Sequence, residues 1–208
     1  NSGWVQDPGD PNYRDNENFP ALETYVKDVM RHFAKDKRIL LWDLYNEPGN
    51  SGKLDTSLPL LTKVFEWARQ VNPDQPLSVG LWRWDFEKLN AFQVLNSDII
   101  TYHDYEAAEW HKRVLQVLKT HGRPLICTEY MARTNNSTFA NTMPMLQKKN
   151  VGAINWGLVS GKTNTIYAWD KPVKDGAQPE LWFHDIFWPD GRPYRKEETD
   201  LIKKLNNK

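Results

Sequence analysis

Ile39-Leu40-Leu41-Trp42-Asp43-Leu44-Tyr45-Asn46-Glu47-Pro48-Gly49-Asn50 is the stretch on which the reading of this sequence turns. The run Ile39 to Tyr45 is short and largely apolar, as expected of a strand buried on both faces in a parallel sheet. It leads directly into an amide and a carboxylate, Asn46 and Glu47, and the proline and glycine that follow end it sharply. Active sites of α/β folds form at the carboxyl ends of such strands. An Asn-Glu-Pro tripeptide also makes an ordinary turn, so this placement needs a second element to give it meaning.

Working outward, the same alternation of elements repeats. Before the strand, Leu22, Val26, Val29, Met30 and Phe33 recur at helical spacing after a polar, Pro/Gly-rich opening to about Pro20. After it, Leu61, Val64, Phe65 and Ala68 fall on one side of a helix expected from about Leu58 to Val71. Pro76 to Trp82, Asp98 to His103, Pro124 to Thr128 and Gly152 to Trp156 read as further strands. Phe86 to Leu95, Glu106 to His121, Phe139 to Lys149 and Arg195 to Leu205 read as helices, with Gly122 suited to the left-handed position past a helix end. Strands alternating with helices imply βαβ units and a parallel sheet. Five such strands suit a doubly wound open sheet as well as part of a barrel, and the irregular stretch Gly157 to Pro179 is of a length usually reserved for function.

The second element is Leu125-Ile126-Cys127-Thr128-Glu129-Tyr130, again an apolar strand ending in a carboxylate. Two further strands lie between it and the Glu47 strand. In a closed barrel Glu129 would therefore lie across the mouth from Glu47. Two strand-end carboxylates facing one cleft are what glycoside hydrolysis needs, one protonated to donate to the leaving oxygen and one ionised. For a retaining reaction their oxygens should lie about 5 to 5.5 Å apart.

Composition narrows the partners. Lysines plus arginines number 27, as do aspartates plus glutamates, so no net field draws the chain to nucleic acid or to an anionic membrane. No apolar stretch is long enough to span a bilayer. The opening Asn1-Ser2-Gly3-Trp4 lacks the form of a signal peptide, and the chain reads as a mature or truncated product. The single cysteine, Cys127, makes no internal disulfide and reads as a small buried hydrophobe. No spacing resembles a metal site and no Gly-rich loop a phosphate cradle, so neither metal nor cofactor is expected. A buried core accounts for many of the ten tryptophans; flat rings at a cleft rim also suit the apolar faces of sugars, so composition adds only a little to the case for carbohydrate, and a neutral substrate is expected.

Trp42-Asp43-Leu44-Tyr45-Asn46-Glu47-Pro48 resembles the strand-four motif of clan A glycoside hydrolases, particularly family 5, and Thr128-Glu129-Tyr130 is similar to their strand-seven nucleophile. The resemblance implies a TIM (β/α)8 barrel of the α/β class, and double displacement on a β-linked poly- or oligosaccharide. Glu129 is then the nucleophile and Glu47 the acid/base, with Asn46 bonding the sugar 2-hydroxyl. Thr101-Tyr102-His103-Asp104-Tyr105 is similar to the family's His-x-Tyr pattern, which implies that His103 or Tyr105 orients the nucleophile. Trp156 resembles the floor of the catalytic sugar subsite. Trp82 and Trp84, after strand five, line the cleft or else pack in the core or at the rim. Pro179 to Phe187 is similar to a stretch after strand eight and reads as mainly structural, and His32, His111 and His121 read as helix-borne histidines.

The resemblance covers strands four to eight and begins in the loop after strand three. One catalytic domain over residues 1 to 208 is therefore expected to be the C-terminal part of a barrel that lacks its first three strands. The missing N-terminal part becomes a candidate partner, and family habit places the protein outside the cell or in the periplasm. A carbohydrate-binding fragment without catalysis is the competing expectation.

Overall fold

A computed structural model describes residues 8–9, 16–169, 171, 173 and 176–207. Most of the polar opening, including Asn1 to Trp4, lies outside the described residues, as do positions 170, 172, 174 and 175 of the long loop after Gly157. Helices and strands alternate in the order α1 (Phe19–Phe33), β1 (Trp42–Asp43), α2 (Leu58–Val71), β2 (Leu77–Ser78), α3 (Glu87–Asn96), β3 (Ile100–His103), α4 (Ala108–Lys119), β4 (Leu125–Glu129), α5 (Phe139–Lys148), β5 (Gly152–Ala153) and α6 (Lys196–Asn206). The chain divides into two compact units, the first ending at Tyr102 and the second running on from His103.

In the first unit β1 and β2 pair in parallel, Trp42 opposite Leu77 and Asp43 opposite Ser78. The backbone N–H of Leu44 continues the ladder to Ser78 O at 2.9 Å. Leu81 bridges Tyr102 in parallel, its N–H donating to Thr101 O at 3.1 Å. These strands are shorter than the apolar runs that contain them, because a run makes a strand only where a neighbour supplies partners. α2 runs from Leu58 to Val71, and Asn72 in the left-handed conformation closes it, donating its N–H to Ala68 O. Leu61, Phe65 and Ala68 of α2 pack with Met30 of α1 and with Leu77, Val79 and Leu89 to form an apolar core. Each of these larger side chains, fully buried, stabilises by about 1.5–3 kcal/mol.

In the second unit β4 and β5 are parallel neighbours, Ile126 opposite Gly152 and Cys127 opposite Ala153. Ile154 N–H extends the pairing to Cys127 O at 2.8 Å. Gly122, at φ +66°, follows α4 in the left-handed region. A capping box starts α5, the Thr138 hydroxyl accepting from Asn141 N–H and the Asn141 side chain accepting from Thr138 N–H. This unit buries charge as well as apolar surface. Arg133, with its side chain 1% exposed, donates to both oxygens of Glu198 at 2.9 and 2.6 Å and to the carbonyls of Trp182 and Asp185. Tyr194 stacks on Trp182 at 4.3 Å, and the Arg133 guanidinium lies 5.1 Å from the Tyr194 ring centroid.

Candidate active site

The two strand-end glutamates belong to different units, and each has its own surroundings. Glu129 is the last residue of β4. Its carbonyl accepts from Asp104 N–H at 3.0 Å, which fixes the strand end against the residue that follows β3. Its carboxylate accepts from the Tyr105 hydroxyl at 2.7 Å, and His103 Nδ1 lies 3.4 Å from the same oxygen. His103 is buried and the Glu129 side chain nearly so. The His-x-Tyr stretch thus delivers both rings to one carboxylate oxygen. A phenol O–H donated at that length gives the carboxylate a directional partner that fixes its orientation.

Between these two rings lies Asp104, whose carboxyl caps the N–H of Glu106 at 2.9 Å. Burial pushes its pKa up to about 7. The backbone leaving β4 is strained at Met131, φ +71°, and the Met131 carbonyl bonds His184 Nδ1 at 2.8 Å. Burial lowers the His184 pKa to about 4, so the ring is neutral. With Nδ1 as the donor, His184 Nε2 keeps its lone pair, and among the described residues it has no hydrogen-bond partner. The His184 ring lies 5.4 Å from Tyr105 and 5.4 Å from Trp169. Gly157, at φ +85°, has to be glycine here, because a Cβ would come within 2.7 Å of His184 Cβ. Just before it, Trp156 is 37% exposed.

Glu47 has a different setting. β1 ends at Asp43, and Glu47 follows in a bend with φ +46°, a conformation that side-chain-bearing residues rarely adopt. The turn is held from behind. Asn50 N–H donates to Glu47 O at 3.0 Å, and the Asn50 amide also donates to the Glu47 carboxylate. Trp82 Nε1 donates to Pro48 O at 3.0 Å, and the Trp82 and Phe86 rings meet edge to face. Gly49, at φ +86°, lies so close to Phe86 and Leu89 that a Cβ would meet them at 2.7 and 2.8 Å. Asn46 is exposed and Trp84 half-buried. Trp82 therefore buttresses the turn that presents Glu47. Trp169 received no role from the sequence and His184 only the structural one of its stretch, since neither sits in a periodic element or at a strand end.

A family model, Cellulase (glycosyl hydrolase family 5), matches residues 1–162. Among curated proteins none matches significantly. Solved structures similar in fold include the endo-β-1,4-mannanase from Thermotoga petrophila, at 16% identity and TM-score 0.64 over 93% of this chain and 50% of that one. A GH5_18 enzyme from Streptomyces cattleya in complex with Manβ1-4GlcNAc aligns at 11% identity and TM-score 0.66, over 98% and 58% of the respective chains. Faecalibacterium prausnitzii β-glucuronidase aligns at 14% identity and TM-score 0.63, over 93% and 36%. The chain thus spans between about a third and just over half the length of these structures. At such identities the likeness is one of fold, and the fold is that of part of a (β/α)8 barrel.

Proposed function

The chain belongs to the cellulase family, glycosyl hydrolase family 5, and on that footing we propose that it hydrolyses O-glycosidic bonds of a β-linked poly- or oligosaccharide with retention of configuration. The observation that carries the reading is the Tyr105 hydroxyl on the Glu129 carboxylate at 2.7 Å, with His103 on the same oxygen. Glu129 attacks the anomeric carbon as the bond to the leaving oxygen breaks, and the proton of the Glu47 carboxyl goes to that oxygen. Water then gives its proton to the Glu47 carboxylate and displaces Glu129 from the sugar. Asn46 hydrogen-bonds the 2-hydroxyl, and Trp156 offers its exposed ring as the floor for the same sugar. His103 and Tyr105 hold the nucleophile.

The partners that follow are a carbohydrate and a further part of the barrel. Leu40 is 71% and Ile154 51% exposed, and such large apolar side chains beside strand ends suit contact with additional strands. Among the described residues no helix is long and apolar enough to cross a membrane, and a secreted or periplasmic setting suits a polysaccharide substrate.

An activated 2-deoxy-2-fluoro-β-glycoside tests the assignment in a single turnover, which a slow enzyme also completes. Peptide mass spectrometry should find the fluoroglycosyl group esterified to Glu129, with labelling slowed at least tenfold in Tyr105→Phe. Labelling elsewhere removes Glu129 as nucleophile. No labelling with any of the gluco, manno or xylo reagents favours a carbohydrate-binding chain without catalysis.

A further inference from the structure

The loop after β5 carries a tryptophan that the chemistry above does not use. Trp169 is half exposed, yet its indole is fixed on one side by three rings. It meets Tyr105 edge to face at 4.8 Å and 85°, Phe183 at 4.8 Å and 87°, and the His184 ring at 5.4 Å. Tyr105 is the residue whose hydroxyl holds Glu129. The indole is therefore one ring away from the reacting carboxylate.

The residues just before it, Thr165 to Tyr167, are tied down by hydrogen bonds. Phe183 N–H donates to Ile166 O at 2.8 Å and His184 N–H to Thr165 O at 3.2 Å. The Thr165 hydroxyl bonds the buried Asp185 carboxylate at 2.8 and 2.9 Å, and Tyr167 donates to Gly176 O at 3.2 Å. An aromatic side chain locked at one side and open at the other is preorganised, so little rotamer freedom remains to be lost on binding. Simple packing against Tyr105 and Phe183 would be met by any large apolar residue with its surface turned inward. A rigid indole half in water instead presents what a pyranose ring needs, a flat apolar face with an N–H at its edge.

We propose that Trp169 is the platform for a second sugar ring, adjoining the one that Glu129 attacks, so that the site takes β-linked glycans of two or more units in preference to single sugars. The inference rests on the glycoside hydrolase reading of the same site. It adds a determinant of chain length, which the fluoroglycoside label, a single-sugar reagent, does not report.

The Glu129→Gln form, which cannot turn over, is titrated with β-1,4-linked cello- and manno-oligosaccharides of one to six units by calorimetry. Affinity should rise with length in at least one series. Adding Trp169→Ala should lower the affinity for the longer members at least tenfold, the loss growing with length, and Trp169→Phe should restore part of it. The proposal is overturned if Trp169→Ala binds hexaoses as tightly as its parent, if single sugars and hexaoses lose equally, or if the parent binds neither series. Length-dependent binding without fluoroglycoside labelling would sink the hydrolase reading and leave the platform standing; labelling of Glu129 without length dependence would do the reverse.

Discussion

The unit that carries Glu47 and the unit that carries Glu129 are stabilised by different means. Among the described residues the first unit buries no charged side chain and no histidine; its interior is aliphatic and aromatic packing of α1, α2, β2 and α3 with a few neutral polar groups such as Gln75, Ser78 and Thr101. The second buries His103, Asp104, His111, Arg133, His184, Asp185 and Glu198. Apolar packing is non-directional and tolerates a strained turn at its edge, which is where Glu47 sits. Buried and half-buried polar groups hold a close geometry where their hydrogen bonds are directional, as Arg133 does with Glu198 and as Tyr105 does with Glu129. Glu47 is thus presented by a strained turn that Asn50 and Trp82 hold, and Glu129 by a paired strand end with Tyr105 and His103 on its carboxylate.

The sharpest way to break this contrast is to remove Arg133. Arg133→Ala leaves Glu198 buried without its partner and strands two carbonyls, and should cost about 3–5 kcal/mol. Leu61→Ala in the first unit should cost a comparable amount, about 2–5 kcal/mol, by leaving a cavity. The two should part in double-mutant cycles followed by urea unfolding. Adding Glu198→Gln should recover a sizeable share of the Arg133→Ala loss, whereas no single neighbouring substitution should do so for Leu61→Ala. Additive losses at Arg133 and Glu198 would mean the pair is not coupled.

A second effect separates the units by pH. Burial raises the Asp104 pKa from 3.8 to about 7, so the folded chain keeps a proton that the unfolded chain releases. The unfolded state therefore binds fewer protons between about pH 4 and 7, and this group's contribution to stability declines as pH rises through that window. In the first unit the side chain and backbone N–H of Arg38 lower the pKa of the exposed Asp36 to about 2, and its contribution is lost as pH falls from about 4 towards 2. Asp104→Asn should gain on its parent as pH rises from 4 to 7, by at most about 1.4 kcal/mol per pH unit. Asp36→Asn should lose ground only above pH 2 and level off by about pH 4. Melting temperatures across pH 2 to 8 read both, and the same sign at both positions would remove the contrast.

What the sequence disclosed follows the same division. α2 was legible to the residue because Leu61, Val64, Phe65 and Ala68 keep one face through a span bounded by Leu58-Pro59 and Asn72. The apolar runs 39–45 and 76–82 gave the positions of β1 and β2 but overstated their lengths, because pairing depends on what a neighbouring strand offers. Near Glu129, the His-x-Tyr spacing pointed to Tyr105, whose hydroxyl the fold delivers to that carboxylate. His184 was illegible as more than packing, since it lies in an aromatic run and its contact with Met131 O joins residues far apart in the chain. The Arg133–Glu198 pair, 65 positions apart, leaves no local trace. Trp169 sits in a loop with no period to read. The left-handed φ of Glu47 has no sequence signal at all, although Pro48 and Gly49 announce a turn.

That φ gives the smallest and most specific test. At +46° the Cβ of any side chain crowds the backbone, a cost of about 1–2 kcal/mol that glycine avoids. Glu129, at the end of a paired strand, has no such crowding, and glycine there loses about 0.5–1 kcal/mol relative to alanine through its greater unfolded freedom. Both substitutions at each site remove the carboxylate, so its contacts cancel in the comparison of glycine with alanine. Glu47→Gly should therefore be more stable than Glu47→Ala by about 1 kcal/mol, while Glu129→Gly should be less stable than Glu129→Ala by about half that or more. For a chain of this size 1 kcal/mol moves the melting temperature by roughly 2–4 °C, well within the resolution of calorimetry. Opposite signs at the two glutamates would show that Glu47 sits on strained backbone and Glu129 on a relaxed strand. Alanine preferred at both positions would mean that the turn at Glu47 relaxes in solution, and its orientation would then have to come from contacts, as at Glu129.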